Sequence, residues 1–248
     1  MPEAAMKDRT VPNPPPPPWQ FDESIPVGRD FTSLEVVEAY DAHHGLFRDV
    51  EKENAAVIAD LGLQPGHIVA DFGCGTGAFA LQAARRCARV HAIDVSAAML
   101  DYTLHKARAQ GLANVVCHQG GFLTYVHTDG PVDAITTSLA LHHLPDFWKQ
   151  KALCRLHSML QEGGRLFLSD VVFSGNDCEA SIAAWIDRIL PTAGPQVAEG
   201  IREHVRREYS TWAWIMEGLL QRAGFRIDRA EYTDGVLARY YATKIREG

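Results

Sequence analysis

Apolar and polar positions along this chain follow two alternating periods. Short apolar runs at residues 68–70, 89–94, 115–118, 132–138 and 165–173 have the length and β-branched content of buried strands. Between them, stretches at 77–87, 97–110 and 146–160 repeat their apolar residues at helical spacing. Trp148, Leu153, Leu156 and Leu160 fall on one face of the last. Ser96 is placed to cap the helix over 97–110, and Gly111 to stop it. Strands alternating with helices at this spacing predict an α/β fold, a mostly parallel sheet with helices on both faces.

The rhythm changes at both ends. Two helical patterns, 34–44 with Ser33 as cap and 46–61, precede the first strand. After residue 173 the pattern over 177–223 is helical without strands. Ile182, Trp185, Ile186, Ile189 and Leu190 form a stripe that Pro191 follows, and Ser210 is placed to cap a further helix that Gly224 stops. Two strand-like runs, 225–232 and 236–245, flank Thr233-Asp234-Gly235 and predict an antiparallel hairpin at one edge of the sheet. The sheet therefore has seven strands and carries a small helical cap at about 177–223. Pro14 to Pro18 predict an extended, disordered tail over residues 1–18. Trp19, Phe21, Ile25, Val27 and Phe31 make the next stretch too apolar for a solvated linker, so residues 19–62 read as an arm and lid helices docked on the domain at 63–248.

The chemistry concentrates where the first strand ends. Asp71-Phe72-Gly73-Cys74-Gly75-Thr76-Gly77 joins strand to helix, and such a turn lets backbone approach a ligand at a helix N-terminus. Its spacing leaves two ligand classes open. Gly73, Gly75 and Ala78, with Asp94 at the end of the second strand, satisfy a dinucleotide fingerprint; Gly73, Gly75 and Gly77 after Asp71 equally suit a nucleoside without a pyrophosphate.

Charge and cysteine content narrow the setting. The 248 residues carry 24 Lys plus Arg against 31 Asp plus Glu, a net charge of -7, which argues against non-specific duplex binding. Five cysteines with no CxxC pair fit a reducing cytoplasm better than a disulfide framework, and no signal peptide or membrane span is apparent.

Val69 to Gly77 resembles the first motif of the class I S-adenosylmethionine-dependent methyltransferases. Ala92 to Leu100 resembles the second, and Leu139-Ala140-Leu141-His142-His143-Leu144 the segment after the fourth strand. The resemblance covers roughly residues 34–245, including the final hairpin. It implies a Rossmann-like methyltransferase sheet, S-adenosyl-L-methionine as cofactor and S-adenosyl-L-homocysteine as product. Arg29-Asp30-Phe31, residues 139–149 and Glu208-Tyr209-Ser210-Thr211-Trp212 look closest to a prokaryotic subgroup that brings no acceptor with it.

Several site residues follow. Gly73, Cys74 and Gly75 would meet the methionine portion through main-chain atoms, with Asp71 ordering the turn or holding the amino group. Asp94 would accept both ribose hydroxyls. Val95 and Met99 would flank the adenine, Met99 serving as well for helix core, and Tyr40 would contact the methionine carboxylate, the acceptor or only its packing neighbours. One position departs from the family, which commonly has an acid after the third strand for the adenine amine. Here the run is Gln119-Gly120-Gly121-Phe122, leaving adenine to main chain around Gly121 and Phe122, or to Gln119.

Leu139 should border the methyl group, and His142 or His143 could take an acceptor proton; capping or packing before Pro145 is the alternative for each. The histidine pairs 43–44 and 142–143 are chain neighbours that do not converge on one point, so no metal is expected. The resulting expectation is methyl transfer to a small-molecule acceptor, with an RNA or tRNA nucleoside methyltransferase, a nicotinamide-dependent oxidoreductase and a non-catalytic cofactor-binding protein as rivals. Oligomeric state is left open.

Overall fold

The computed structural model describes residues 17–28, 37, 38, 40, 41, 45 and 48–245. The expected tail before residue 17, the expected cap at Ser33 and the His43-His44 pair lie outside them. Its elements in chain order are α1 (Val50–Asp60), β1 (Ile68–Phe72), α2 (Ala78–Ala83), β2 (Arg89–Asp94), α3 (Ala97–Ala109), β3 (Val115–Gln119), β4 (Val132–Ser138), a 3₁₀ turn (Leu141–His143), α4 (Asp146–Met159), β5 (Leu160–Phe173), α5 (Cys178–Arg207), β6 (Thr211–Trp212), α6 (Ala213–Arg222), β7 (Phe225–Thr233) and β8 (Leu237–Lys244).

Seven strands lie in the order β3-β2-β1-β4-β5-β8-β7, and β6 pairs separately with the end of β5. β1 to β5 run parallel; β8 is antiparallel to both β5 and β7. The strand order reverses at β1, between β2 and β4, and ligands of open α/β sheets bind outside the strand ends at such a point. One layer of core packs Phe72, Ile135, Leu153, Leu156 and Tyr240, and the other packs Val69, Ala80, Val90 and Leu100. The hairpin turns through Asp234 and Gly235, both at positive φ, the pairing a two-residue turn needs to match strand twist.

Three expectations need correction. β1 does not stop before Asp71 but runs through Phe72, so Asp71 is a strand residue flanked by Ala92 and Thr136. The segment 177–223 is not purely helical, because Thr211 and Trp212 pair with Val172 and Phe173 as β6. Ser210 does not cap α6: its hydroxyl meets His204 Nε2 at 2.7 Å, and Trp212 holds the cap position. α5 runs on past Pro191 to a break at Gly194, where Pro195 opens the second half in the first-turn position that tolerates a missing N–H.

Candidate functional site

The glycine turn is held from three sides. Gly73 and Cys74 both donate to the Ile93 carbonyl, at 2.9 and 3.0 Å, and Gly75 N–H donates to Asp94 Oδ2 at 2.8 Å. The Thr103 hydroxyl donates to the Gly75 carbonyl at 2.9 Å, and the Thr76 hydroxyl to Asp41 Oδ1 at 2.5 Å. Asp41 also receives Lys106 Nζ at 2.7 Å, which fixes the helical turn carrying Tyr40 over Gly75. Gly73 has φ 67°, and a Cβ there would stand 2.4 Å from Ala140 Cβ. No other residue type fits that approach without strain.

Above this turn lies a cavity whose walls come from both sides of the β1 reversal point. Gly73, Gly75, Asp94, Val95 and Met99 form one side; Gly120, Gly121 and Phe122 a second; Leu139, Ala140, His143 and Leu144 a third; and Phe21, Glu23, Ile25 and Val27 of the N-terminal arm close over it with Tyr40. Phe21 packs on the core and meets Tyr209 edge-on, while Trp19 stacks on Trp148. The arm is thus docked, and no residue of 177–223 lines this cavity.

Of the residues singled out for the cofactor, Tyr40, Gly73, Gly75, Asp94, Val95, Met99, Gly121, Phe122 and Leu139 meet at this cavity. Asp71 and Cys74 are buried behind the turn instead. Asp71 accepts from the Thr136 hydroxyl at 2.8 Å, and burial pushes its carboxyl up to about 7 against that bond, with Asp94 adding repulsion. Asp94, not Asp71, orders the turn: its Oδ1 accepts Ser96 N–H at 2.9 Å while Oδ2 holds Gly75. Burial raises Asp94 as well, opposed by the backbone donors of Ser96, Gly75 and Val95. Neither carboxylate has an ion-pair partner among the described residues. Asp94, the buried acid that faces the cavity, suits a ligand carrying hydroxyl donors, and each of its oxygens keeps a lone pair for such a donor. Leu139 has φ 53°, a strained value for a branched side chain, held by its N–H on the Ser169 carbonyl at 2.8 Å. Gln119 turns its amide onto the Val95 carbonyl at 3.3 Å and does not reach the cavity.

The two candidate bases separate. His143 lines the cavity, and burial, reinforced by the neighbouring His142 charge, lowers its pKa to about 4, so its imidazole is neutral near pH 7. Its Nδ1 is buried without a hydrogen bond, 4.0 Å from Glu208 Oε2. His142 lies beneath the wall. Its Nδ1 meets Asp170 Oδ1 at 2.5 Å and its Nε2 meets Glu208 Oε2 at 3.0 Å. Burial opposes charge there, but the two carboxylates outweigh it and hold His142 at about 9, an imidazolium with no free lone pair to accept a proton. The same contacts pull both Asp170 and Glu208 below the usual carboxylate range despite burial.

Sequence reading missed this network because its members are far apart in the chain. Glu208 also meets His204 Nδ1 at 2.5 Å, and buried Lys149 clamps the neighbouring strand by donating to the Tyr209 carbonyl. His142, His204 and Glu208 bring three potential metal-ligating atoms within 4.8 Å of one another. The expectation of no metal considered only chain neighbours, and folding supplies a convergence that spacing could not display. In the structure the two imidazoles pair with Asp170 and Glu208 oxygens at 2.5 to 3.0 Å.

Comparisons with known proteins fit this picture. The pattern of a methyltransferase domain matches residues 69–164. An uncharacterized methyltransferase from Geobacillus kaustophilus is 28% identical over 206 residues, spanning 80% of this chain and 90% of its own. Among solved structures, an S-adenosylmethionine-dependent methyltransferase from Aquifex aeolicus superposes with a TM-score of 0.61 at 21% identity, covering 86% of this chain and 99% of that one. The [4+2]-cyclase SpnF superposes with a TM-score of 0.62 at 19% identity, covering 90% and 99%. The two structural likenesses establish the fold, and the cyclase shows that this fold hosts more than one chemistry.

Proposed function

Because the chain is a class I S-adenosylmethionine-dependent methyltransferase, we propose that it methylates a small-molecule acceptor bound in the cavity between Leu139, His143 and the N-terminal arm. The observation that carries this reading is the docked arm. Phe21, Glu23, Ile25 and Val27 border the cavity on the side facing Gly73 and Asp94 and narrow it, which suits an acceptor small enough to sit beneath them. A nucleic-acid acceptor would need an open, basic approach, and the chain carries a net charge of -7.

Bound S-adenosylmethionine supplies an electrophilic methyl carbon on a sulfonium. Asp94 would hold the ribose, the Gly73–Gly75 backbone the amino-acid portion, and Val95, Met99 and Phe122 the adenine. The remaining work is alignment and exclusion of water, which the docked arm and the apolar side chains of Leu139 and Leu144 perform. His143, which burial and then the charge of His142 keep neutral, faces the cavity and takes the acceptor's proton.

Incubation with methyl-labelled S-adenosylmethionine, a pooled metabolite extract and bulk tRNA tests the acceptor class. The proposal expects label in a small-molecule product, identified by mass, with little change between 50 and 200 mM salt. Label in RNA that falls steeply with salt would replace it with the nucleic-acid reading.

A further inference from the structure

The carboxyl end of β3 is followed by Gly120 and Gly121, so the chain offers no acidic side chain there. The structure nevertheless holds a carboxylate at that place. A Cβ built on Gly121 would lie 2.5 Å from both Cδ and Oε2 of Glu23, a residue of the N-terminal arm. The volume that a side chain at 121 would fill is occupied by the Glu23 carboxyl group, and glycine is the residue that permits it.

The two oxygens of Glu23 are not equivalent. Oε1 accepts Leu123 N–H at 2.9 Å, Thr124 N–H at 2.8 Å and the Thr124 hydroxyl at 2.8 Å. Three donors on one oxygen fix the carboxylate as a cap on the turn after β3. That turn is itself rigid, since Arg155 donates to the Phe122 and Tyr125 carbonyls. Oε2 receives no hydrogen bond among the described residues, and Glu23 lies on the cavity wall beside Phe122.

We propose that Glu23 reads the exocyclic amine of the cofactor's purine ring through Oε2, so that base recognition is carried by the arm and not by the sheet. This rests on the cofactor reading above. An amine donor in the Val95–Phe122 slot would meet a charged acceptor already immobilised by the protein, the arrangement that makes a hydrogen bond to a base selective. Burial raises the Glu23 carboxyl, outweighing the donors that oppose it, which is the cost of an acceptor left partly unpaired. Purine recognition and docking of the arm then become one event.

Calorimetric titration of the full chain with S-adenosylhomocysteine and with its 6-oxo analogue, S-inosylhomocysteine, reads this directly. The wild-type protein should prefer the adenosyl compound by about 10- to 100-fold. Glu23→Gln can keep its carbonyl on the Leu123 and Thr124 donors while turning an NH₂ toward the base. That exchange should abolish or invert the preference. In Glu23→Ala/Gly121→Asp, a carboxylate from the β3 side enters the vacated volume and should restore it. The ratio of the two dissociation constants does not depend on the fraction of protein folded, so a weakened variant remains informative. If Glu23→Gln loses affinity for both compounds equally, Glu23 is a structural cap and the proposal is wrong. If the wild-type chain binds neither compound, the cofactor reading fails first and takes the proposal with it.

Discussion

Replacing Asp94 by alanine separates the turn contacts that its carboxylate makes from the ribose contact proposed for it. In the structure its oxygens accept Gly75 and Ser96 N–H at 2.8 and 2.9 Å, tying the glycine turn to the start of α3. Alanine leaves both donors without their acceptor, and each buried orphan costs roughly 1–3 kcal/mol, less where water enters the gap. A loss of about 2–4 kcal/mol is expected. Set against a typical 5–15 kcal/mol for a domain, the variant still folds, with its melting temperature lowered by about 4–16 °C. The ribose contribution is separate: two hydroxyls donating to a charged acceptor are worth about 1.5–3 kcal/mol each, so S-adenosylhomocysteine should bind about 10²- to 10⁴-fold more weakly. Calorimetric titration well below the melting temperature, paired with a thermal scan, reads both. A melting temperature that falls while affinity stays within twofold of wild type would show that Asp94 only organises the turn, and the ribose assignment would be withdrawn.

Three further outcomes follow from the geometry. Gly73→Ala combines a left-handed backbone, costing about 1–2 kcal/mol, with a Cβ 2.4 Å from Ala140 Cβ, so thermal unfolding should fall by several degrees and cofactor binding should be lost; a melting temperature within 1 °C of wild type would contradict it. His143→Gln should lower kcat by about 10²- to 10⁴-fold while S-adenosylhomocysteine affinity changes by less than about threefold, whereas equal loss of both would make His143 a binding residue. Buried His91, in contact with His118 and His127, has its pKa lowered from 6.5 to about 4 by burial first and by those rings next. Between these values the unfolded chain binds more protons, so stability is full above pH 6.5 and is lost as pH falls toward 4. Urea unfolding should show about 2 kcal/mol less stability at pH 5 than at pH 7, and His91→Asn should reduce that difference; an unchanged difference would refute the assignment.

How much of this was legible in the sequence depended on the range of each signal. The βα alternation, the glycine turn and Asp94 at the end of β2 are local patterns, and the structure places them as the pattern implies. The terminal hairpin was legible because Asp234-Gly235 carries its own turn chemistry. Glu23 was not, because nothing in the arm marks it as a partner of Gly121, nearly a hundred residues away in the chain. The Asp170–His142–Glu208–His204 network was hidden for the same reason: its members come from β5, the 3₁₀ turn and the end of α5. β6 was missed because two residues pairing with β5 have no period to detect. Among the described residues no helix is long and apolar enough to cross a membrane, in line with a pattern in which every apolar run is short or amphipathic.

The central claim is that the cavity above Gly73 and Asp94 holds S-adenosylmethionine. The most direct test is calorimetric titration of the intact chain with S-adenosylhomocysteine and, separately, with NAD. The account predicts one site per chain with micromolar-range affinity for S-adenosylhomocysteine and no heat of binding for NAD. Binding of NAD with none of S-adenosylhomocysteine would contradict it.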